Sequence, residues 1–126
     1  ALGDRRLLFM NVARYNARPV SQAPITYHYV IVRADLPRGI QAANIIHAAG
    51  ESSPGNLPSG THAVCLVVPG EKELWELEKT LRRAGVKFSS IIENDSPFTA
   101  QLMAIGCAPC GREVLKRFLS SLPLLK

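Results

Sequence analysis

Cysteine is scarce in the sequence, and long hydrophobic runs are absent. The 126 residues include three cysteines, an odd number and too few for the disulfide framework of a small secreted domain. No stretch approaches the ~20 consecutive apolar residues that a membrane-spanning helix requires. These absences predict a soluble protein of a reducing compartment, and we expect that compartment to be the cytoplasm.

Acidic residues are also fewer than basic ones. Ten Asp and Glu stand against 15 Lys and Arg, a net charge of +5, and 47% of the residues are hydrophobic, enough for one domain with a core. The basic excess lies at the ends, because residues 1–26 hold four arginines and one acid, and residues 112–126 hold four cations and one acid. Clustered cations release counterions on binding a polyanion, so RNA is one partner that fits. A basic surface without a nucleic-acid partner fits as well.

Residues 1–26 are predicted to be an N-terminal extension. Pro19 and Pro24 interrupt regular structure near its end. Four arginines and a single acid are typical of an organelle-targeting segment, which would make the location mitochondrial. A cloning-derived extension, or a segment that docks onto a partner, explains the same composition.

Strand and helix patterns alternate over residues 27–126. The predicted strands are YHYVIVR, HAVCLVV, VKFSSIIE and AQLMAIG, and the second is apolar enough to be buried on both faces. The predicted helices are about residues 39–50, the amphipathic segment GEKELWELEKTLRRAG with its leucines inward, and GREVLKRFLSSL. The order β-α-β-α-β-β-α predicts an α/β domain with three α/β/α layers and a four-stranded mixed sheet.

The first predicted helix carries polar residues at intervals of three. In DLPRGIQAANIIHAAGE these are Gln41, Asn44 and His47, which spread over ~120° of one side of a helix. The apolar residues elsewhere on the helix are expected to pack on the sheet: Ile40, Ile45, Ile46 and Ala49. The helix starts beyond the carboxyl end of a strand, where open α/β sheets usually bind ligands. The polar side therefore predicts either a ligand-binding cleft or a face that simply meets water.

The loop between the third and fourth strands is a second polar segment. It contains Glu93, Asn94, Asp95 and Thr99, residue types that are also ordinary in turns. If the third strand runs parallel to the first, Asp95 lies at the same edge of the sheet as Arg38 and Gly39. A carboxylate, a hydroxyl, an imidazole and amides would then converge, and such groups can activate water and stabilise an oxyanion.

Four segments occur in the order and approximate spacing of one protein family. The first strand and helix contain IVRADL and GIQAANIIHAA, where the family has VVRxDL and GKGKxAAQxxHAA. The late loop DSPFT leads to AQLMAIGCAP, where the family has D-x-x-x-T and TVLAIGPAP, and LPLLK stands where a helix ends in HLKLL. On these matches, residues 27–126 resemble the archaeal and eukaryotic class of peptidyl-tRNA hydrolases.

This resemblance implies a metal-independent hydrolase that needs no cofactor. Members of the family cleave the ester between a peptide and the terminal ribose of tRNA, which recycles the tRNA, and they often pair as dimers. We therefore expect peptidyl-tRNA, or an N-blocked aminoacyl-tRNA, as substrate and tRNA as partner, with a homodimer as a further expectation. The expected catalytic residues are His47, Asp95, Thr99 and Asn44. The expected substrate-binding residues are Arg38, Gly39, Gln41 and Gln101.

A mechanism follows from these roles. Asp95, oriented by Thr99, would position a water molecule for attack on the ester carbonyl. Asn44 and backbone N–H groups near Gly39 would stabilise the oxyanion, while His47 relays a proton or orients its neighbours.

The chain departs from the family pattern at three positions. Asn44 stands where the family has a glutamine, and Gln101 stands where it has a threonine. Ile40 replaces the lysine at the helix start, which leaves Arg38 as the nearest cation.

Two further functions compete with hydrolysis, and one motif needs a separate explanation. A non-catalytic tRNA- or ribosome-binding module could retain the fold without the chemistry, and an adaptor could act through residues 1–26. The CAPC segment, Cys107 to Cys110, lies between a strand and a helix as thioredoxin-like redox pairs do. Because the resemblance places a GPAP-like turn there, substitution into a turn explains it better than redox chemistry.

Overall fold

The computed structural model describes residues 25–126 as four strands and three helices. The strands are β1 (Tyr27–Arg33), β2 (His62–Val68), β3 (Phe88–Ile92) and β4 (Leu102–Cys107). The helices are α1 (Arg38–Ser52), α2 (Glu71–Arg83) and α3 (Arg112–Leu119). The predicted order β-α-β-α-β-β-α is confirmed, whereas the predictions for the N-terminal extension lie almost entirely outside the described residues. None of these three helices is long and apolar enough to cross a membrane.

The strands form one mixed sheet in the order β2-β1-β4-β3. β1 runs parallel to β2, with Tyr27 opposite His62 and Arg33 opposite Val68. β4 runs antiparallel to both of its neighbours, β1 and β3. β3 is therefore parallel to β1, and the predicted four-stranded mixed sheet is confirmed. The parallel orientation is also the condition under which the loop after β3 was expected to lie at the same edge of the sheet as the start of α1.

The second strand corrects one prediction. β2 was expected to be buried on both faces, but it is an outer strand, and its first two residues, His62 and Ala63, are exposed. Its apolar second half is covered by the chain after α3, because the N–H of Val67 donates to the carbonyl of Pro123 and the N–H of Leu125 to that of Cys65. A returning segment, rather than a second neighbouring strand, thus buries this edge.

Two hydrophobic clusters use alternate residues of β1. Ile31 belongs to a cluster that includes Leu74 and Leu81 of α2 and the buried leucines of α3. Val30 and Val32 belong to a cluster that includes Ala48 of α1. Because successive side chains of a strand point to opposite faces, helices cover both faces of the sheet. The leucines that were predicted to face inward from α2 do so.

α1 lies very close to β4 at one glycine. A Cβ atom added to Gly106 would stand 2.2 Å from the carbonyl oxygen of Ala48 and 2.6 Å from Oγ of Ser52. This contact sets the rotation of α1, since Ala48 and Ser52 must face the sheet. Ile46, which was expected to pack on the sheet, lies about 200° around the helix from Ala48. Its side chain is 72% exposed, and that prediction was wrong.

Candidate functional site

The carboxyl ends of the three parallel strands define one edge of the sheet, which we call the carboxyl edge. α1 begins after β1 at this edge, and the loop of residues 93–101 follows β3 there. Phe98 of the loop packs in the same cluster as Ile40 and Ile45 of α1. The late loop and the first helix therefore lie on the same face of the sheet, as their proposed cooperation requires.

A buried arginine forms the centre of this edge. Arg33, the last residue of β1, is 5% exposed. Its Nε and Nη2 donate to the two carboxylate oxygens of Asp35, at 2.9 Å each. Its Nη1 donates to Oε1 of Gln101 at 2.8 Å and to the carbonyl of Leu102 at 3.2 Å. The guanidinium group thus ties the end of β1 to the start of β4.

Arg33 and Asp35 are not among the site residues predicted from the sequence. Both lie within the IVRADL segment that carried part of the family resemblance. A usable signal was present, since an arginine that ends a largely apolar central strand must find partners for its N–H groups.

Arg33 also changes the acidity of its partner. The hydrogen bonds from Arg33, reinforced by its positive charge, hold the pKa of Asp35 below its ordinary value of 3.8, although partial burial acts in the opposite direction. The same bonds raise the pKa of Arg33, which stays charged at any physiological pH. Asp35 is therefore a carboxylate at neutral pH, and it compensates the buried cation.

This pairing predicts how stability depends on pH. A carboxyl group with a lowered pKa in the folded state stabilises the fold above its unfolded pKa, and that contribution disappears as the pH falls through the folded pKa. Asp35→Asn should therefore reduce the free energy of unfolding at pH 6, by no more than about 1 kcal/mol because the carboxylate is partly exposed. Urea unfolding at pH 3 to 7 measures the difference. A difference that stays constant down to pH 3 would contradict the ion pair.

A second carboxylate joins α2 to this network. Oε2 of Glu71 accepts hydrogen bonds from the N–H of Leu102 at 3.0 Å and from Nε1 of Trp75 at 3.1 Å. The start of β4 is thus fixed from two sides, by Arg33 and by Glu71. Such double anchoring makes the residue just before β4, Gln101, a well-positioned group at the carboxyl edge.

The polar residues of α1 do not share one environment. Gln41 and Asn44 are each 4% exposed. Nε2 of Gln41 donates to the carbonyl of Arg33, and Nδ2 of Asn44 donates to the carbonyl of Ile40, both at 2.9 Å. His47 is exposed. The polar stripe therefore runs from the sheet outward to solvent instead of along one open cleft.

The late loop presents its acid and its hydroxyl to solvent. Oε2 of Glu93 accepts the N–H groups of Asn94 and Asp95 at 3.2 Å each, and the carbonyl of Glu93 accepts the N–H of Ala100 at 2.7 Å. Asp95 and Thr99 are both exposed. Glu93, predicted from the sequence only as one of several polar loop residues, is the group that shapes this loop.

The start of α1 carries one cation. Arg38 is exposed and donates through Nη2 to the main-chain oxygen of Lys126, in the segment that covers β2. Gly39 is exposed beside it, whereas Ile40 packs against the cluster under α1. The position at which the family has a lysine therefore belongs to the core, and positive charge reaches this edge through Arg38.

The CAPC segment lacks the features of a reactive thiol pair. Cys107 is completely buried, and burial together with the neighbouring Cys110 raises its pKa to about 12. Burial also raises the pKa of Cys110. Reactive cysteines have lowered pKa values, so the structure favours the substituted turn over redox chemistry.

A cavity of about 640 Å³ lies at the opposite edge of the sheet. Its lining includes Ser52, Lys87, Ser89 and Cys110, and none of the predicted site residues. Ser52 Oγ is 2.7 Å from Nε2 of the buried His28 and also 2.7 Å from the carbonyl of Ala48. Over residues 25–126, no group of three or more His, Cys, Asp and Glu residues is arranged to hold a metal ion.

Comparison with known proteins places the fold. No model of a protein family matches the chain, and no curated protein matches its sequence. Among solved structures, the chain is similar to a protein of unknown function from Agrobacterium tumefaciens strain C58, at 17% sequence identity and a TM-score of 0.51. The match covers 80% of this chain and 98% of that one. At this identity the similarity shows a shared α/β fold and carries no information on activity.

Proposed function

We propose that the protein hydrolyses the ester bond of peptidyl-tRNA, or of an N-blocked aminoacyl-tRNA, and so recycles tRNA. The observation that carries the proposal is the parallel orientation of β1 and β3. This orientation brings the loop with Asp95 and Thr99 to the edge and the face on which α1 begins. The motif resemblance gives these elements their proposed roles.

The chemistry needs a base, a site for negative charge and access for a large substrate. Asp95 is an exposed carboxylate that can accept a proton from water, and Thr99 lies in the same loop. The first turn of α1 contains no acidic residue and offers backbone N–H groups near Gly39 that have no partner within the helix. Arg38 adds a positive charge at that helix start, in place of the family lysine.

Binding of the tRNA backbone is assigned to cations on α3 and near the start of β3. Lys87 and Arg117 both line a groove of about 350 Å³ between the end of α2 and α3. The Arg117 guanidinium lies 4.6 Å from the centre of the Phe118 ring, which limits its freedom. Arg112 and Lys116 add exposed charge on the same helix. Such a surface can hold phosphates without reading sequence.

This surface predicts a change in salt dependence. Lys87→Ala and Arg117→Ala should each weaken tRNA binding and reduce the slope of log K against log salt concentration by about 1, because each removes about one phosphate contact. Binding titrations with deacylated tRNA at several salt concentrations measure the slope. Lys79→Ala, an exposed lysine outside the groove, is the control. Equal slopes for all three variants would show that tRNA binds at a different surface.

One assay tests the proposed function against its main alternative. The assay compares release of N-acetyl-aminoacyl groups from tRNA with binding of the same tRNA at the same salt concentration. Release by the wild-type protein supports the hydrolase. Binding without release supports a non-catalytic tRNA-binding module, which the solvent-facing position of His47 and the core position of Ile40 favour. If the protein neither binds tRNA nor releases the aminoacyl group, both functions are contradicted.

A further inference from the structure

The contact with Arg33 fixes which end of the Gln101 side chain is free. A guanidinium group has only donors, so the atom of Gln101 that it contacts at 2.8 Å must be the carboxamide oxygen. The amide nitrogen, Nε2, occupies the other branch of the carboxamide. Within residues 25–126, Nε2 makes no hydrogen bond, and it is not fully buried. Two N–H donors are thus held at the carboxyl edge in one orientation.

The amides of α1 are in the opposite situation. The Nδ2 group of Asn44 is bonded to its own helix, the Nε2 group of Gln41 is bonded to β1, and both side chains are almost fully buried. Asn44, the side chain expected to stabilise the oxyanion, has one of its two N–H groups engaged and is only 4% exposed. Gln101 is the last residue of the loop that carries Asp95 and has a donor group to spare.

We propose that Gln101 donates through Nε2 to the oxyanion formed during ester hydrolysis, and that Arg33 is the positioning residue that aims it. This inference rests on the proposed hydrolase function. Asp95 removes a proton from water as the water oxygen bonds to the ester carbon, and the carbonyl π electrons move onto oxygen, where Nε2–H of Gln101 stabilises them. Collapse of this intermediate breaks the bond to the ribose oxygen, which takes the proton. The products are the peptide acid and free tRNA.

Two substitutions of Gln101 test the donor. Gln101→Glu retains an acceptor for Arg33 but has no N–H, and Gln101→Met is neutral and of similar length but has no polar group. Both should lower kcat for N-acetyl-aminoacyl-tRNA by about 100-fold or more, the usual loss for one oxyanion donor. The KM of Gln101→Met should stay within a few-fold of the wild-type value. Asn56→Asp, an amide-to-acid change at the opposite edge of the sheet, should leave kcat unchanged.

A double-mutant cycle tests the positioning role of Arg33. The single ammonium group of the lysine in Arg33→Lys cannot contact Asp35 and Gln101 in the geometry of the planar guanidinium group. The kcat should therefore fall about 10-fold in the wild-type background and not at all in the Gln101→Met background. A purely structural role would lower kcat equally in both backgrounds, and that result would overturn the positioning role. If the wild-type protein hydrolyses the substrate and both Gln101 variants have the same kcat, the donor role of Gln101 is overturned and the proposed function is not. A wild-type protein without turnover would overturn the proposed function, and the inference with it.

Discussion

Gly106→Ala is expected to destabilise the domain by about 3 kcal/mol, which corresponds to a fall in Tm of about 10–15 °C. The added methyl group would stand 2.2 Å from the main-chain oxygen of Ala48, a distance that no side-chain rotation can relieve. α1 would have to move away from β4. That movement would also disturb the hydrogen bond between Ser52 Oγ and Nε2 of His28, which joins α1 to β1.

A second glycine of the same region supplies the matched control. Gly50 lies in α1, and an added Cβ would meet nothing within 4 Å. Gly50→Ala should therefore stabilise the protein by about 0.5–1 kcal/mol, since alanine loses less backbone entropy than glycine in a helix. Thermal and urea unfolding of both variants measure the contrast. Equal stability of Gly106→Ala and the wild-type protein would show that α1 does not depend on this close contact.

The fold could be predicted from the sequence because each element has a clear hydrophobic period and clear ends. The leucines of α2 recur at helical spacing, and GEKELWELEKTLRRAG ends in a glycine that adopts a positive φ of 72°. The direction of β3 was open, because a strand pattern does not say which neighbour it pairs with. Once β4 is placed between β1 and β3, that direction follows from two antiparallel pairings.

The rotation of α1 could not be predicted from polarity. Gln41 and Asn44 look like surface residues, but the backbone carbonyls of Arg33 and Ile40 satisfy their amides, so burial costs them little. The signal for the true inner face was a pair of small residues far apart in the chain, Ala48 and Gly106, which allow helix and strand to approach. That pairing depends on the tertiary fold and is invisible in a local pattern.

The meeting of two elements of the candidate site could be predicted from the sequence, whereas the contacts between them could not. The late loop and the start of α1 do lie at one edge, because chain order and parallel strands dictate it. The ion pair between the buried Arg33 and the partly exposed Asp35 links them through Gln101, and neither residue was assigned a role from the sequence. A charged residue at the end of a largely apolar strand was the sign that this edge is built around a fixed cation.

Asp95→Asn is expected to lower kcat for N-acetyl-aminoacyl-tRNA by about 100-fold or more, because an amide of the same shape cannot accept a proton from water. The substitution should not disturb the fold, since the side chain is exposed and makes no hydrogen bond within residues 25–126. The shape of the loop depends instead on the Glu93 carboxylate, which remains in place. Tm should therefore stay at the wild-type value, and the affinity for deacylated tRNA should not fall.

The control for this substitution is Glu76→Gln, the same chemical change at an exposed position of α2. Both variants lose one negative charge, so any gain in tRNA affinity from that loss should be of similar size in the two. Of the two variants, only Asp95→Asn should lose turnover, because Asp95 lies in the loop that ends at Gln101 whereas Glu76 lies on α2. A rising pH should not restore its activity, since an amide does not become a base in that range. Wild-type kcat in Asp95→Asn would remove this carboxylate from the mechanism and leave the water without its proposed base.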